Sequence, residues 1–176
     1  MKTLPLSAAL LVAAVLAGCQ PVARVATPVA TPVVEPPADP AQRLRALREA
    51  AGDPGVVDVQ PLRSPELEDL REAVDEAESR GDITTARSLL AQALALEPGQ
   101  PELLQTKAEL LLVDGELFPA IEQATRALNA GPRVGSLCRR SWLTLVEAYR
   151  LGGHVAEAEL ALGQLERCSV PAPVRM

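Results

Sequence analysis

The chain has 176 residues and a formal net charge of −6, with one histidine and three cysteines. That acidic balance disfavours nucleic acid and anionic lipid as partners and favours a basic partner surface. After residue 18 no charge-free stretch reaches the roughly 20 apolar residues needed to cross a bilayer, so no transmembrane helix is expected.

Met1 and Lys2 open a basic start, followed by an apolar run over residues 4–16 that includes Leu10, Leu11, Val12 and Val15. This is the outline of a cleaved signal peptide covering residues 1–18. Its end reads Leu16, Ala17, Gly18, Cys19, which resembles the lipobox of bacterial lipoproteins. The resemblance implies cleavage before Cys19, lipidation of that cysteine and a lasting membrane anchor, because several acyl chains hold where one does not. The alternative is an ordinary cleaved signal with a chance cysteine. By the same resemblance Gln20, standing where an aspartate would signal inner-membrane retention, implies an outer-membrane address facing the periplasm. Without residues 1–18 the mature chain carries −7.

Residues 19–38 hold the lipidated cysteine and a nearly uncharged stretch with Pro21, Pro28, Pro32, Pro36 and Pro37. Nothing there can bury a core, and proline favours polyproline II at about 3.1 Å per residue, so a disordered tether of up to roughly 60 Å is expected. Asp39 and Pro40 then supply an N-cap and first helical residue, Leu44, Leu47 and Ala51 recur at helical spacing, and Gly52 ends the pattern. Residues 39–63 therefore read as a short helix and a linker separated from the main domain. Ser64 and Pro65 restart helix.

From there a period of 34 pairs Leu70 with Leu104, Val74 with Ala108, Ala77 with Leu111, Gly81 with Gly115, Ala86 with Ala120, Ala93 with Ala127 and Pro98 with Pro132. After four extra residues near Gly135 the series continues through Trp142, Val146, Tyr149, Gly153, Ala158, Leu165 and Val170. At these residues the chain resembles the tetratricopeptide repeat family, whose unit is a pair of antiparallel helices. The resemblance implies an all-α fold, a short solenoid of three helical hairpins over 64–172, with units about 67–100, 101–134 and 139–172 and a tail at 173–176. A helical hairpin array of other ancestry is the alternative. Aromatic residues that the family places in its first helices occur here as Trp142 and Tyr149, in unit three alone, and Val170 with Pro171 stands at the usual closing proline. No capping helix is expected after unit three, which leaves Val155, Leu162 and Leu165 near an uncovered edge and allows a homodimer through that end.

Cys138 and Cys168 each lie fifteen residues from Gly153, so a hairpin folded there brings them together and their spacing predicts a disulfide. In an oxidising compartment that bridge would stabilise by about 3–4 kcal/mol. Two buried thiols or a metal pair are the alternatives; no further cysteine or well-placed histidine supports a metal.

No phosphate loop, nucleotide fingerprint or nucleophile constellation is present, so neither catalysis nor a cofactor is expected. His154 reads as a solvent-facing helix-cap residue. The acids Glu66, Glu68, Asp69, Glu72, Asp75, Glu76 and Glu78 read as a solvated helix face. The resemblance implies a groove lined by the first helices, here Glu68, Arg71, Asp75, Glu102, Gln105, Glu109, Arg140, Leu143 and Glu147. Arg71 and Arg140 fall where one subgroup clamps a peptide carboxylate. Asp75 and Thr106 replace its asparagines, and the surrounding acids would repel that ligand, so a basic or amphipathic segment is the expected occupant.

The sequence thus reads as a lipid-anchored protein-binding scaffold of the bacterial envelope, compatible with pilus, secretion or cell-wall machinery. The other classes are a self-associating structural lipoprotein and the non-catalytic subunit of an enzyme.

Overall fold

Proline placement starts three of the helices. In the computed structural model α1 (Pro40–Ala51), α2 (Pro65–Ser79) and α4 (Pro101–Val113) each begin with proline at the first helical position, where its missing N–H costs nothing. The residue before each proline caps the helix with its side chain: Asp39 accepts from the Ala41 and Gln42 amides, Ser64 from Leu67, and Gln100 from Leu103. The chain continues through α3 (Ile83–Leu96), α5 (Leu117–Ala130), α6 (Ser136–Leu151), α7 (Val155–Leu162) and a 3₁₀ turn, Leu165–Cys168. The structure describes residues 39–52 and 63–169, all within one compact unit, and those residues are helical with no strand. The expected signal peptide, Cys19 and expected tether, residues 53–62 and everything after Ser169 lie outside the described residues.

The turns at Gly81, Gly115 and Gly153 are built alike. Each glycine has positive φ, at 76°, 83° and 76°, a conformation that a side chain resists. In each, the glycine amide donates to the carbonyl three residues back and the next amide donates to the carbonyl five residues back: Gly81 to Glu78 and Asp82 to Ala77, Gly115 to Leu112 and Glu116 to Leu111, Gly153 to Arg150 and His154 to Tyr149. These bonds satisfy the carbonyls that a helix leaves free at its C-terminus. Five residues beyond each glycine stands Ala86, Ala120 or Ala158, all buried. A methyl group there lets the helices before and after the turn approach closely, and α2 packs on α3, α4 on α5 and α6 on α7. Consecutive pairs join through α3 on α4 and α5 on α6. The extra residues before α6 end in Gly135, with φ of 94°, whose amide donates to the Cys168 carbonyl at 2.8 Å.

Two features depart from the sequence expectation. First, α1 is not separated from the rest: its apolar stripe of Ala41, Leu44, Leu47 and Ala51 is buried, and α1 packs on α4 and α6. Burying Leu44 and Leu47 contributes about 1.5–3 kcal/mol each, which a 12-residue helix standing alone would lack. Second, the repeat series runs on through Leu165, but the last helix stops before it. It ends at Gly163, and the chain tightens into the 3₁₀ turn that brings Cys168 to α6.

Candidate functional site

The charged centre of the fold lies where α1 meets α2, α4 and α6. α1 runs antiparallel to α4 and α6: Ala41 near its start lies beside Gly81, Arg43 donates to the Val113 carbonyl at the end of α4, and the Ala51 carbonyl at its end accepts from Arg139 Nε at 2.6 Å, in the first turn of α6. Helical geometry places Arg48 one residue beyond Leu47, at the border of the buried stripe, so its stem lies on apolar surface while the guanidinium reaches across.

Arg48 grips two carboxylates. Its Nη1 and Nη2 donate to Glu78 at 2.7 and 3.2 Å, and its Nε donates to Glu109 Oε2 at 2.8 Å. Arg140, from α6, donates to both oxygens of the same Glu109 at 2.8 and 2.7 Å. Gln105 Nε2 adds donations to Glu109 Oε1 at 3.0 Å and to Thr144 Oγ1 at 2.8 Å, and the Thr144 hydroxyl donates to the Arg140 carbonyl. A fully enclosed carboxylate is costly unless paired and hydrogen-bonded, and Glu109 has both. Burial pushes its pKa up, but Arg140 and Arg48 outweigh that and hold it at about 2, below its ordinary 4.5. Glu78 goes the other way. Burial, aided by Glu109 and Asp75, raises it despite Arg48. For Arg48 burial opposes the charge, while Glu109 and Glu78 together raise its pKa.

The residues expected to line a groove therefore divide. Gln105 and Glu109 do not present to an open surface; both are enclosed, Glu109 gripped from α1 and α6 and Gln105 bonded to Thr144 of α6. Leu143 is half-buried in the cluster that contains Leu47, Leu111 and Ala148. Arg140 is spent on Glu109. Arg71 is likewise partnered, by Glu68 at 3.4 Å and Glu102 at 3.3 Å, and Arg63 also pairs with Glu68 and Glu102. Neither arginine stands as an open clamp cation. Asp75 is exposed, and half-buried Glu147 pairs with Arg150 at 3.2 Å.

Sequence reasoning placed Glu78 on the solvated acidic face, whereas the structure buries it, because Glu78 falls on the helix edge that turns toward Arg48. Arg43, Arg48 and Arg139 were also missed. The available signal was two arginines flanking the Leu44–Leu47 stripe of a helix too short to stand alone.

Cys138 and Cys168 are joined in a disulfide with Cα atoms 5.6 Å apart, and both are buried. His154 occupies the cap position of α7 without a side-chain capping bond, and its ring meets Tyr149 edge-on at 6.4 Å. Leu151, Val155, Leu160 and Leu162 are exposed at 48, 66, 71 and 38%. Among the described residues no cluster of His, Cys, Asp and Glu could hold a metal ion, and no helix is long and apolar enough to cross a membrane. No protein-family model and no curated protein matches the chain.

Proposed function

We propose that this chain is a non-catalytic interaction module of the bacterial envelope, anchored by lipid on Cys19, held off the outer membrane by the proline-rich tether and binding a protein segment through helices α2, α4 and α6. In this reading α2 with α3, α4 with α5, and α6 with α7 are three tetratricopeptide-type hairpins forming a short solenoid. Support comes from the three identically bonded turns, 34 and then 38 residues apart, and from the matching alanines that follow them. The observation that carries the binding function is the helix already lying there: α1, amphipathic and basic, is held by Arg48 against Glu78 and Glu109. A face that takes this helix has the acidic and apolar chemistry for a basic or amphipathic partner in pilus, secretion or cell-wall machinery.

The test is capture from envelope extracts with the full chain, comparing wild type with Asp75→Ala/Glu147→Ala, which removes two acids of the face and leaves the Arg48–Glu109 cluster intact. The expected result is a partner whose recovery falls about tenfold with the variant. Unchanged recovery of every partner would remove this reading.

A second reading, self-association as a structural lipoprotein, is favoured by exposed Val155, Leu160 and Leu162 on the last helix. Sedimentation of the mature chain separates the two, since a monomer at micromolar concentration counts against it.

A further inference from the structure

We infer that α1 is a displaceable occupant supplied by the chain itself, and that the external partner is a helix of the same chemistry. That chemistry is two leucines three residues apart, an arginine directly after the second, and small residues at the outer turns, as in Ala41, Leu44, Leu47, Arg48 and Ala51. This rests on the proposal that α2, α4 and α6 form the binding face, and it adds what the partner looks like and what it must displace.

Three observations carry it. The buried set of α1 is small, since two of its four side chains are alanines, and a helix of 12 residues is marginal without its seat. The seat is mixed rather than purely apolar: Leu44 and Leu47 enter apolar clusters, but Glu78 and Glu109 receive the arginine, the Val113 carbonyl receives Arg43, and Arg139 caps the carbonyl end. Exchangeable interfaces are of this mixed kind. Finally, the face has supports of its own besides α1. Glu109 keeps Arg140 and Gln105, and the packing of α2 on α3, α4 on α5, α6 on α7 and α4 on α6 is made without α1. Glu78 alone of the two carboxylates then loses its guanidinium, which leaves an opened face that attracts a cation.

The probe is a fluorescein-labelled peptide of residues 39–52, followed by anisotropy against a soluble chain beginning at Gln20, which omits the lipid-bearing Cys19. Wild type is expected to bind it weakly, because its own α1 holds the seat. Leu44→Asp/Leu47→Asp in the chain expels α1 and tightens peptide binding about tenfold or more, while Arg48→Ala in the peptide abolishes it. An expelled variant that keeps its circular dichroism yet binds no tighter than wild type overturns the inference.

A locked variant answers the case in which the expelled one unfolds. A Cβ at Gly81 would lie 3.7 Å from that of Ala41, within disulfide reach, so oxidised Ala41→Cys/Gly81→Cys pins α1 in place. It is expected to bind about tenfold less peptide than Gly81→Ser, which carries the same backbone strain. Equal binding by the two overturns displacement. Absence of peptide binding by all variants overturns this inference alone, because partner capture from extracts measures the proposed function independently.

Discussion

Arg48 Nε donates to Glu109 Oε2 at 2.8 Å, joining the first helix of the described fold to a carboxylate with no solvent exposure on α4. Removing one partner of such a pair leaves the other buried and uncompensated, which costs far more than never having had the pair. Glu109 retains Arg140, so the orphan in Arg48→Ala is Glu78. We expect about 3 kcal/mol, or a hundredfold rise in the opening of α1, measured as faster hydrogen exchange of α1 amides than of α4 amides. Arg48→Met/Glu78→Gln should recover at least half of that loss, because the neutral pair has no stranded charge.

The pH dependence follows from Glu109. Its folded pKa of about 2 lies below the ordinary 4.5, so its contribution is fully present above pH 4.5 and is lost as pH falls from 4.5 toward 2. At full burial the linkage amounts to about 3 kcal/mol. Glu78 acts with opposite sign: its raised pKa favours the fold below 4.5, and that benefit is lost as pH rises through the folded value. Urea midpoints between pH 7 and 2 should therefore fall below pH 4.5, and Glu109→Gln should flatten that fall while lowering stability at pH 7.

Much of this arrangement was open to reading from the sequence, and the division has a physical cause. Gly81, Gly115 and Gly153, the Asp39–Pro40 and Ser64–Pro65 starts, and the capping of α3 by Asp82 through the Thr85 amide are local, since a turn or cap is decided by residues within five positions. The docking of α1 is not local. Arg48 meets Glu78 and Glu109 across 30 and 61 residues, and no periodicity in α1 says which face will receive it. Glu78 was misread because a run of acids averages to a solvated face, while its own position on the helix turns inward. The early end of α7 was missed because the repeat pattern runs on past Gly163 to Leu165.

The disulfide gives a separate expectation. Cys138 and Cys168 are 30 residues apart and tie the 3₁₀ turn to α6. Cys138→Ser/Cys168→Ser should lose about 3–4 kcal/mol in denaturant titrations. Thiol titration of the unfolded mature chain without reductant should find neither cysteine reactive; two reactive thiols would remove the bridge.

The exposed edge of α7 is distinguishable from the face beneath α1. Leu160, 71% exposed, bears little of the folded core, so Leu160→Glu should change stability by less than about 0.5 kcal/mol. If that substitution nonetheless converts a dimer to a monomer in sedimentation, self-association through the last helix gains the support that the interaction reading would lose.

The most direct test of the account is site-resolved photocrosslinking of the full chain in intact cells. A photoreactive residue at Glu147, on the α6 face, is compared with one at exposed Glu122 on α5. The account predicts that position 147 captures, in another protein, a discrete helical segment carrying an arginine after a leucine pair, and that position 122 does not. Capture from 122 with none from 147 would contradict it.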